Sequence, residues 1–529
     1  GQCAHASLVV WTMRGLSSIF LFVPCVLMCN ADVSVGPESL LADLVALKKE
    51  LAALRKELDP RLELSTRQLQ TESLSASYFL AEVEDLKVEE QETHASLDTL
   101  WILCCCFVAS LMHAGFAMLE TGTCRARNAS NLLLKNLMNM CVGTLGWWLF
   151  GWGFAFGDLQ GSFVGTTGFA GSNFLLVNDK GLSARSCEGC VTRVAQCFFQ
   201  WIFCTTAVTI VSGGVAERAK TGSYMWYSLL MTSIIYPCVV AWTWGGGWLS
   251  SFQGIGITDF AGSMIVHMTG GIGALSGVIV LGPRKGRFED PKAFEPHSLP
   301  LVVLGTMILW FGWLGFNCGS TLSMHNSDSA ALAAQVAMNT ILAGASGGCT
   351  VFLLRLVFTR KYDVCGLCNG ILAGLVTITA GCGNMTSSSA ILAAFIGGFV
   401  YQACSQLLLK FQIDDPLDAS SVHGACGFWG GLCAVLFDWG LSRNHFHGSN
   451  GWTCKALADG VCQENLFGTA LLVQLIGLLV ILAWVMASSM IVFIFLSLLG
   501  QIRIKQSTEE TGVDQEQHVQ SAYDIQGQI

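Results

Sequence analysis

His267 and His423 are imidazoles set deep in apolar sequence, and each stands eight residues after an aspartate, Asp259 and Asp415. The first stretch reads Asp259-Phe-Ala-Gly-Ser-Met-Ile-Val-His267, the second Asp415-Pro-Leu-Asp418-Ala-Ser-Ser-Val-His423. A neutral imidazole donates from one ring nitrogen, accepts at the other, and changes charge near neutrality, so it can hold a small polar molecule or pass a proton. Ionisable side chains are costly in lipid and therefore face a bundle interior or a cavity, where they mark a substrate or proton pathway. A lone histidine on an apolar face is more often a satisfied core residue. Two at matching places in two halves point instead to a transporter built from repeats, with its site near the midplane.

The elements that must carry these residues are membrane helices. Of 529 residues, 52% are hydrophobic and only 12% charged, with mean hydropathy +0.55. A soluble globular chain carries roughly twice that charged fraction. Apolar runs long enough to cross a hydrocarbon core of about 30 Å predict eleven spans, at 100–119, 131–156, 191–215, 223–247, 260–282, 299–317, 329–354, 365–382, 388–410, 419–438 and 467–499. Glycine is abundant (58) and proline scarce (9), which suits helices packed closely on small residues. Loops after odd-numbered spans hold most of the Lys and Arg, including Arg125, Arg218, Arg284 and Lys285, and the tail adds Arg503 and Lys505. By the positive-inside rule those loops and the C-terminus are cytoplasmic, and the segment before the first span is outside. An odd count inverts the second five spans relative to the first, giving a five-plus-five inverted repeat with His267 and His423 as partners. The fold class is thus an all-α membrane protein. The net charge of -9 says little here, and nothing resembles a nucleic-acid-binding patch.

Four segments follow. Residues 1–31 read as a signal peptide or anchor, with an apolar run over 8–28 interrupted by Arg14. Residues 32–98 form an extracellular extension. Within it Leu40, Leu44, Leu47, Leu51, Leu54 and Leu58 make a short heptad seam stopped by Pro60, either a coiled-coil stalk or an amphipathic helix lying on its own domain. Residues 99–500 are the transmembrane domain and 501–529 a cytoplasmic tail. Most of the 23 cysteines lie in apolar runs as small hydrophobes; Cys187 with Cys190, and Cys454 with Cys462, fall in outside loops where oxidation is possible.

Several collinear motifs carry a family resemblance. Ala114-Gly-Phe-Ala-Met-Leu-Glu120-Thr-Gly, Arg125-Ala-Arg-Asn128, Gly214-Val-Ala-Glu-Arg218 and Leu281-Gly-Pro-Arg-Lys-Gly-Arg287 resemble cytoplasmic turns of ammonium transporters. Leu309-Trp-Phe-Gly-Trp313-Leu-Gly-Phe316-Asn317, Asn369-Gly-Ile-Leu-Ala-Gly374 and Asp414-Asp-Pro-Leu-Asp418 continue the match in order, to about Tyr523. Trp244-Gly-Gly-Gly and Asp414-Asp-Pro-Leu-Asp are more like the Amt/Mep branch than the Rhesus branch.

The resemblance implies a homotrimer with one pore per subunit, in the plasma membrane or a related one. It implies a recruitment site for ammonium at Trp244, Phe199 and Ser320 above Asp259, and a constriction at Phe203 and Phe316. Below these it implies a pore lined by His267, His423 and Trp313. Any single aromatic is otherwise core or interface packing. Asp259 is expected to stabilise the cation or cap its helix. Asp418 resembles its counterpart in the second half, with a helix cap as the plainer reading. Gly512, Asp514, His518 and Tyr523 resemble a regulatory tail that docks across subunits and offers a site to a cytoplasmic regulatory protein. Val519 stands where the family pattern has Gly, and the plainer reading of the tail is a disordered polar segment.

The expected partners are ammonium or ammonia, the lipid bilayer and further copies of the chain. No cofactor, metal or nucleic acid is expected. Cys365-Gly-Leu-Cys368 lacks a second ligand pair, and no nucleophile stands at usable spacing from a base, so an enzyme is not indicated. Two other functions fit the same pattern: a Rhesus-like neutral channel for ammonia or carbon dioxide, and an ammonium sensor acting through its tail.

Overall fold

The computed structural model describes residues 45, 46, 48–50, 52, 53, 56, 76–172, 174, 176–178, 181–183, 191–438 and 467–523. The chain divides into two units, Gly1–Leu86 and Lys87–Ile529. The signal-peptide-like run, the seam leucines and the paired loop cysteines lie outside the described residues. Described residues between the seam leucines are helical and exposed.

Helices stand wherever the apolar runs predict them. They are α1 (Ala76–Thr123), α2 (129–156), α3 (Arg193–Gly214), α4 (Thr221–Trp242) and α5 (Ser263–Leu281) in the first half. In the second half they are α6 (Leu299–Gly319), α7 (Ser327–Thr359), α8 (Val364–Thr379), α9 (Ser387–Lys410), α10 (420–436) and α11 (Phe467–Leu498). Eight of these, among the described residues, are long and apolar enough to cross a membrane. The other three fall outside that set. α2 is interrupted by a π turn at Trp147–Gly151, α8 is 16 residues long, and α10 opens with a π turn of 6 residues and continues for only 11. α1 runs without a break through residue 98, so the acidic stretch before the first apolar run leads helically into it. The α2–α3 connection holds two small antiparallel hairpins, β1 (Leu159–Gln160) with β2 (Val164–Gly165) and β3 (Leu176–Asn178) with β4 (Gly181–Ser183). Hydropathy marks this segment only as a loop.

The turns after α1, α3 and α5, and the one before α10, converge on one buried ion network. Glu217 accepts from the Arg125 backbone N–H at 2.6 Å and from its side chain at 3.0 Å, and from Asn128 at 3.1 Å. Arg284 bridges Glu217 at 2.8 Å and Asp414 at 2.8 Å. Glu217 is fully buried with φ 65, a left-handed conformation uncommon for a residue with a side chain, and these partners hold it there. The fully buried Arg218 donates to the carbonyls of Gly282 at 2.9 Å and Asp414 at 2.8 Å.

The tail closes over the same face. α12 (Gln506–Thr511) and α13 (Val513–Gln517) follow a short crossing at which Arg503 donates to the Leu281 carbonyl at 2.6 Å. The Lys285 N–H donates to Glu509 at 2.7 Å. Asp514 then accepts the N–H groups of Ser130 and Asn131 at 2.7 and 2.9 Å, supplying the cap that the first turn of α2 lacks from its own Asn128.

Burial alone would raise the Glu217 and Asp414 carboxyls, but the guanidinium of Arg284, joined at Glu217 by that of Arg125, holds both below the ordinary carboxylate range. A carboxylate depressed on folding stabilises the fold above its unfolded value, and that stabilisation disappears as pH falls through the lower folded value. Glu217→Gln removes the carboxylate that Arg125 and Arg284 share, leaving Arg125 without its ion-pair partner and Arg284 with Asp414 alone, and is expected to cost about 3–5 kcal/mol. The midpoint of thermal unfolding in detergent should fall accordingly. The gap between wild type and variant should hold steady from neutrality down to about pH 4, the unfolded value, and close only below it.

Candidate functional site

Both histidines sit in π turns, at Ser263–Met268 and at Ser420–Ala425, each at the start of its helix. The wider i→i+5 turn, seen in the His267 N–H to Gly262 carbonyl bond at 3.0 Å, adds a residue to the helix and re-aims the side chains that follow. The result is a direct meeting of the two rings. Their centroids are 5.3 Å apart and the two Nδ1 atoms 3.3 Å apart. A contact between two ring nitrogens requires one to donate and the other to accept.

Such an approach requires the two helix backbones almost to touch. Gly271, one turn after His267, lies against Gly424, next to His423. A Cβ on Gly271 would fall 2.1 Å from the Gly424 backbone nitrogen. His267 stacks on Trp313 at 4.7 Å and 15°, and Trp313 is oriented by donating Nε1–H to Thr379 Oγ1 at 2.9 Å. Phe116 stands 6.0 Å from His423 on the other side.

On the side away from the tail a column of aromatic rings leads to this pair. Trp244, half-buried, packs edge-on to Phe203 at 5.6 Å; Phe203 meets Phe199 at 4.8 Å and Phe316 at 4.1 Å; Phe316 lies 5.6 Å from His267. Phe203 and Phe316 are in direct contact. Ser320 closes α6 and donates Oγ–H to the Phe316 carbonyl at 3.0 Å, which leaves its lone pairs as acceptors.

Asp259 takes four backbone donors. Oδ1 accepts from Gly262 and Ser263 at 2.7 and 3.0 Å, and Oδ2 from Met264 and Ile265, both at 2.9 Å. Its own carbonyl accepts from Trp244 Nε1 at 2.8 Å, which ties the outermost ring to the cap of α5. In the second half the cap falls to a different residue from the one the sequence singled out. Asp415 accepts from the Ser420 N–H at 2.7 Å, whereas the Asp418 carboxylate is held by Tyr401, Ser405 and Asn369 at 2.8, 3.0 and 3.4 Å. Asp415 shares with Asp259 the eight-residue spacing to its histidine, and Asp418 does not. In the tail, Gly512 adopts φ 105 beside Arg127 and Asp514 forms the α2 cap. Tyr523 packs edge-on to His297 at 5.1 Å, the His518 N–H donates to the Asp514 carbonyl at 3.2 Å, and Val519 is fully exposed. Over its described residues, up to Tyr523, the tail holds two short helices and contacts the basic turns of its own chain through Glu509 and Asp514. Sequence reasoning passed over Glu120, Glu217 and Arg284 as site residues, although each stands inside a motif that carries the resemblance, and Thr379, which lies outside the motifs quoted above.

A bundle of apolar helices whose two halves meet in a pair of facing histidines defines a helical membrane transport protein. Residues 100–523 match the model of the Ammonium Transporter Family. The chain is 39% identical over 441 residues to ammonium transporter Amt2 of Archaeoglobus fulgidus, covering 81% of this chain and 88% of that one. It is 35% identical over 451 residues to ammonium transporter 1 member 3 of Solanum lycopersicum, covering 81% and 93%. Among solved structures it superposes on a sensor Amt protein with TM-score 0.70 and 29% identity, over 80% of this chain and 98% of that one. It also superposes on Mep2 of Candida albicans with TM-score 0.67 and 29% identity, over 78% and 87%. The chain belongs to the ammonium transporter family.

Gly271→Ala is expected to separate the two histidine-bearing helices. Forcing a methyl into backbone contact costs about 1–3 kcal/mol even where the surroundings shift. Protein that still reaches the membrane should transport labelled methylammonium at a fraction of the wild-type rate; a wild-type rate would show that the crossing tolerates the methyl. Asp259→Ala, which strands four helix-start donors, is expected to lower stability by about 1–3 kcal/mol, read as a lower unfolding midpoint in detergent.

Proposed function

We propose that this ammonium transporter recruits ammonium at Trp244, Phe199 and Ser320, deprotonates it beside Phe203 and Phe316, and conducts ammonia past His267 and His423 with the proton following. The observation that carries this reading is the 3.3 Å Nδ1 contact between two buried histidines directly beneath a closed pair of phenylalanines. Ring faces attract a cation by about 0.5–2 kcal/mol, and more as water is removed. A cation pays heavily to leave water for an apolar constriction, whereas neutral ammonia pays far less. Potassium cannot lose a proton and so cannot follow. Asp259, neutral donors satisfied by its carboxylate, keeps Trp244 in place and adds negative charge beneath the recruitment site. Asp418 fixes the start of α10 through Tyr401 and Ser405.

We further propose that the basic face formed by the α1, α3 and α5 turns with the tail is cytoplasmic and that the segment before α1 lies outside, in the plasma membrane. In that reading residues 99–500 form the transport domain and 501–529, with Gly512, Asp514, His518 and Tyr523, a docked regulatory element open to a cytoplasmic partner. Large apolar side chains exposed on α7 and α9, among them Leu353, Val357, Phe395 and Phe399, suit lipid or the neighbours in a homotrimer. The likeness to a sensor Amt protein favours a second reading, in which occupancy of the same site is reported through the tail.

Voltage-clamped oocytes expressing the chain should give a saturating inward current with external ammonium and none with potassium. Replacing both His267 and His423 by Ala should abolish that selectivity or the current. Labelled uptake without current would mean a neutral channel, and surface expression with neither would favour the sensor.

A further inference from the structure

On the tail side of His423 lies a cavity of about 20 Å³, lined by Phe116, Leu119, Glu120, Thr209, Val422 and His423 with other apolar side chains. That volume admits a single water, which needs at least two polar partners to stay. The walls supply three: Thr209, Glu120 and His423. His423 turns Nδ1 to His267, so Nε2 is its nitrogen available to the cavity. Glu120 is 1% exposed and is held by two neutral donors, Ser212 Oγ–H at 2.9 Å and Asn136 Nδ2–H at 2.9 Å. Among the described residues it has no ion-pair partner. Lys135, a buried cation of α2, donates Nζ–H to the Ala219 carbonyl at 2.7 Å rather than to Glu120. A carboxylate is costly to bury without a cation and is placed here for some reason other than an ion pair.

We propose that Glu120 is the proton acceptor at the tail-side end of the histidine pair, reached from His423 through one water in this cavity. The inference rests on the proposed proton-coupled pathway. Ammonium gives a proton to the histidine pair and continues as ammonia. The N–H bond at His423 Nε2 then breaks, the water takes that proton while passing one of its own to a Glu120 oxygen, and the pair is restored to neutrality. Release from Glu120 to solvent on the tail side, where ammonia takes a proton again, returns the carboxylate. Atoms and charge balance, with one proton crossing per ammonia. Glu120 also gives the pathway a direction for the proton that differs from simple exchange within the histidine pair: it holds the charge one step beyond the narrowest section.

The test compares charge with substrate in the same oocytes, as current and labelled methylammonium uptake. Glu120→Gln keeps the shape, with its amide oxygen accepting from Asn136 and its amide nitrogen donating to a reversed Ser212 hydroxyl, but cannot take a proton from water. With the forward acceptor gone, the proton leaves the histidine pair by the side it entered and ammonia crosses without it, so uptake is expected to persist while the charge moved per labelled molecule falls about tenfold or more, and Glu120→Asp is expected to restore that ratio in part. An unchanged ratio in Glu120→Gln overturns the proposal. Loss of current and uptake in equal proportion, with both recovered together in Glu120→Asp, also overturns it, because that marks a structural role. Wild-type uptake without any current fails the underlying pathway instead, and is read before either variant is made.

Discussion

Everything at the centre of this protein depends on two helices crossing with no side chain between them. Gly271 and Gly424 bring the α5 and α10 backbones into contact, and only that contact lets two imidazoles from opposite halves meet through their Nδ1 atoms. The π turns do the complementary work of aiming the rings at each other once the backbones are close. Trp313 and Thr379 fix the plane of the first ring, Phe116 borders the second, and the Asp259 and Asp415 carboxylates pin the helix starts. The histidine pair is thus held by the surrounding helices and is not a property of either segment alone.

A second set of contacts does for the loops what the glycine crossing does for the helices. Arg284 lies between Glu217 and Asp414 and so joins the turn after α3 to the turn before α10, one from each half of the chain. Charges this deeply buried are tolerated only because each meets an opposite charge and backbone donors as well. The network also explains how Glu217 keeps a left-handed backbone: five polar contacts from Arg125, Asn128 and Arg284 hold it there.

Much of this was legible in the sequence, and the reasons are physical. Apolar runs located the helices because a bilayer demands continuous hydrophobic length, and the basic loops placed the α1, α3 and α5 turns together, as their shared ion network does. The eight-residue spacing picked out Asp259 and Asp415, and the structure gives both carboxylates a helix-start N–H. What composition did not convey was partnership. Asp418 looked like a cap from its place in the chain, but Tyr401 and Ser405, on a different helix, claim its oxygens. The hairpins between α2 and α3 escaped because two- and three-residue strands leave no periodicity to read. The π turns escaped too, since a single extra residue in a turn hardly alters a hydrophobic pattern. The heptad leucines lie outside the described residues.

The cap that Asp514 places on α2 has a consequence for biosynthesis. The N–H groups of Ser130 and Asn131 belong to an early helix, yet their carboxylate partner is translated after every apolar helix in the bundle. While the nascent chain is being inserted, the second helix must wait with its first turn answered only by water or lipid headgroups. The bond forms once all the later helices have been delivered to the membrane. A chain interrupted anywhere before the tail therefore exposes a helix start that the finished molecule conceals, a local mark by which quality control could tell an unfinished copy from a finished one.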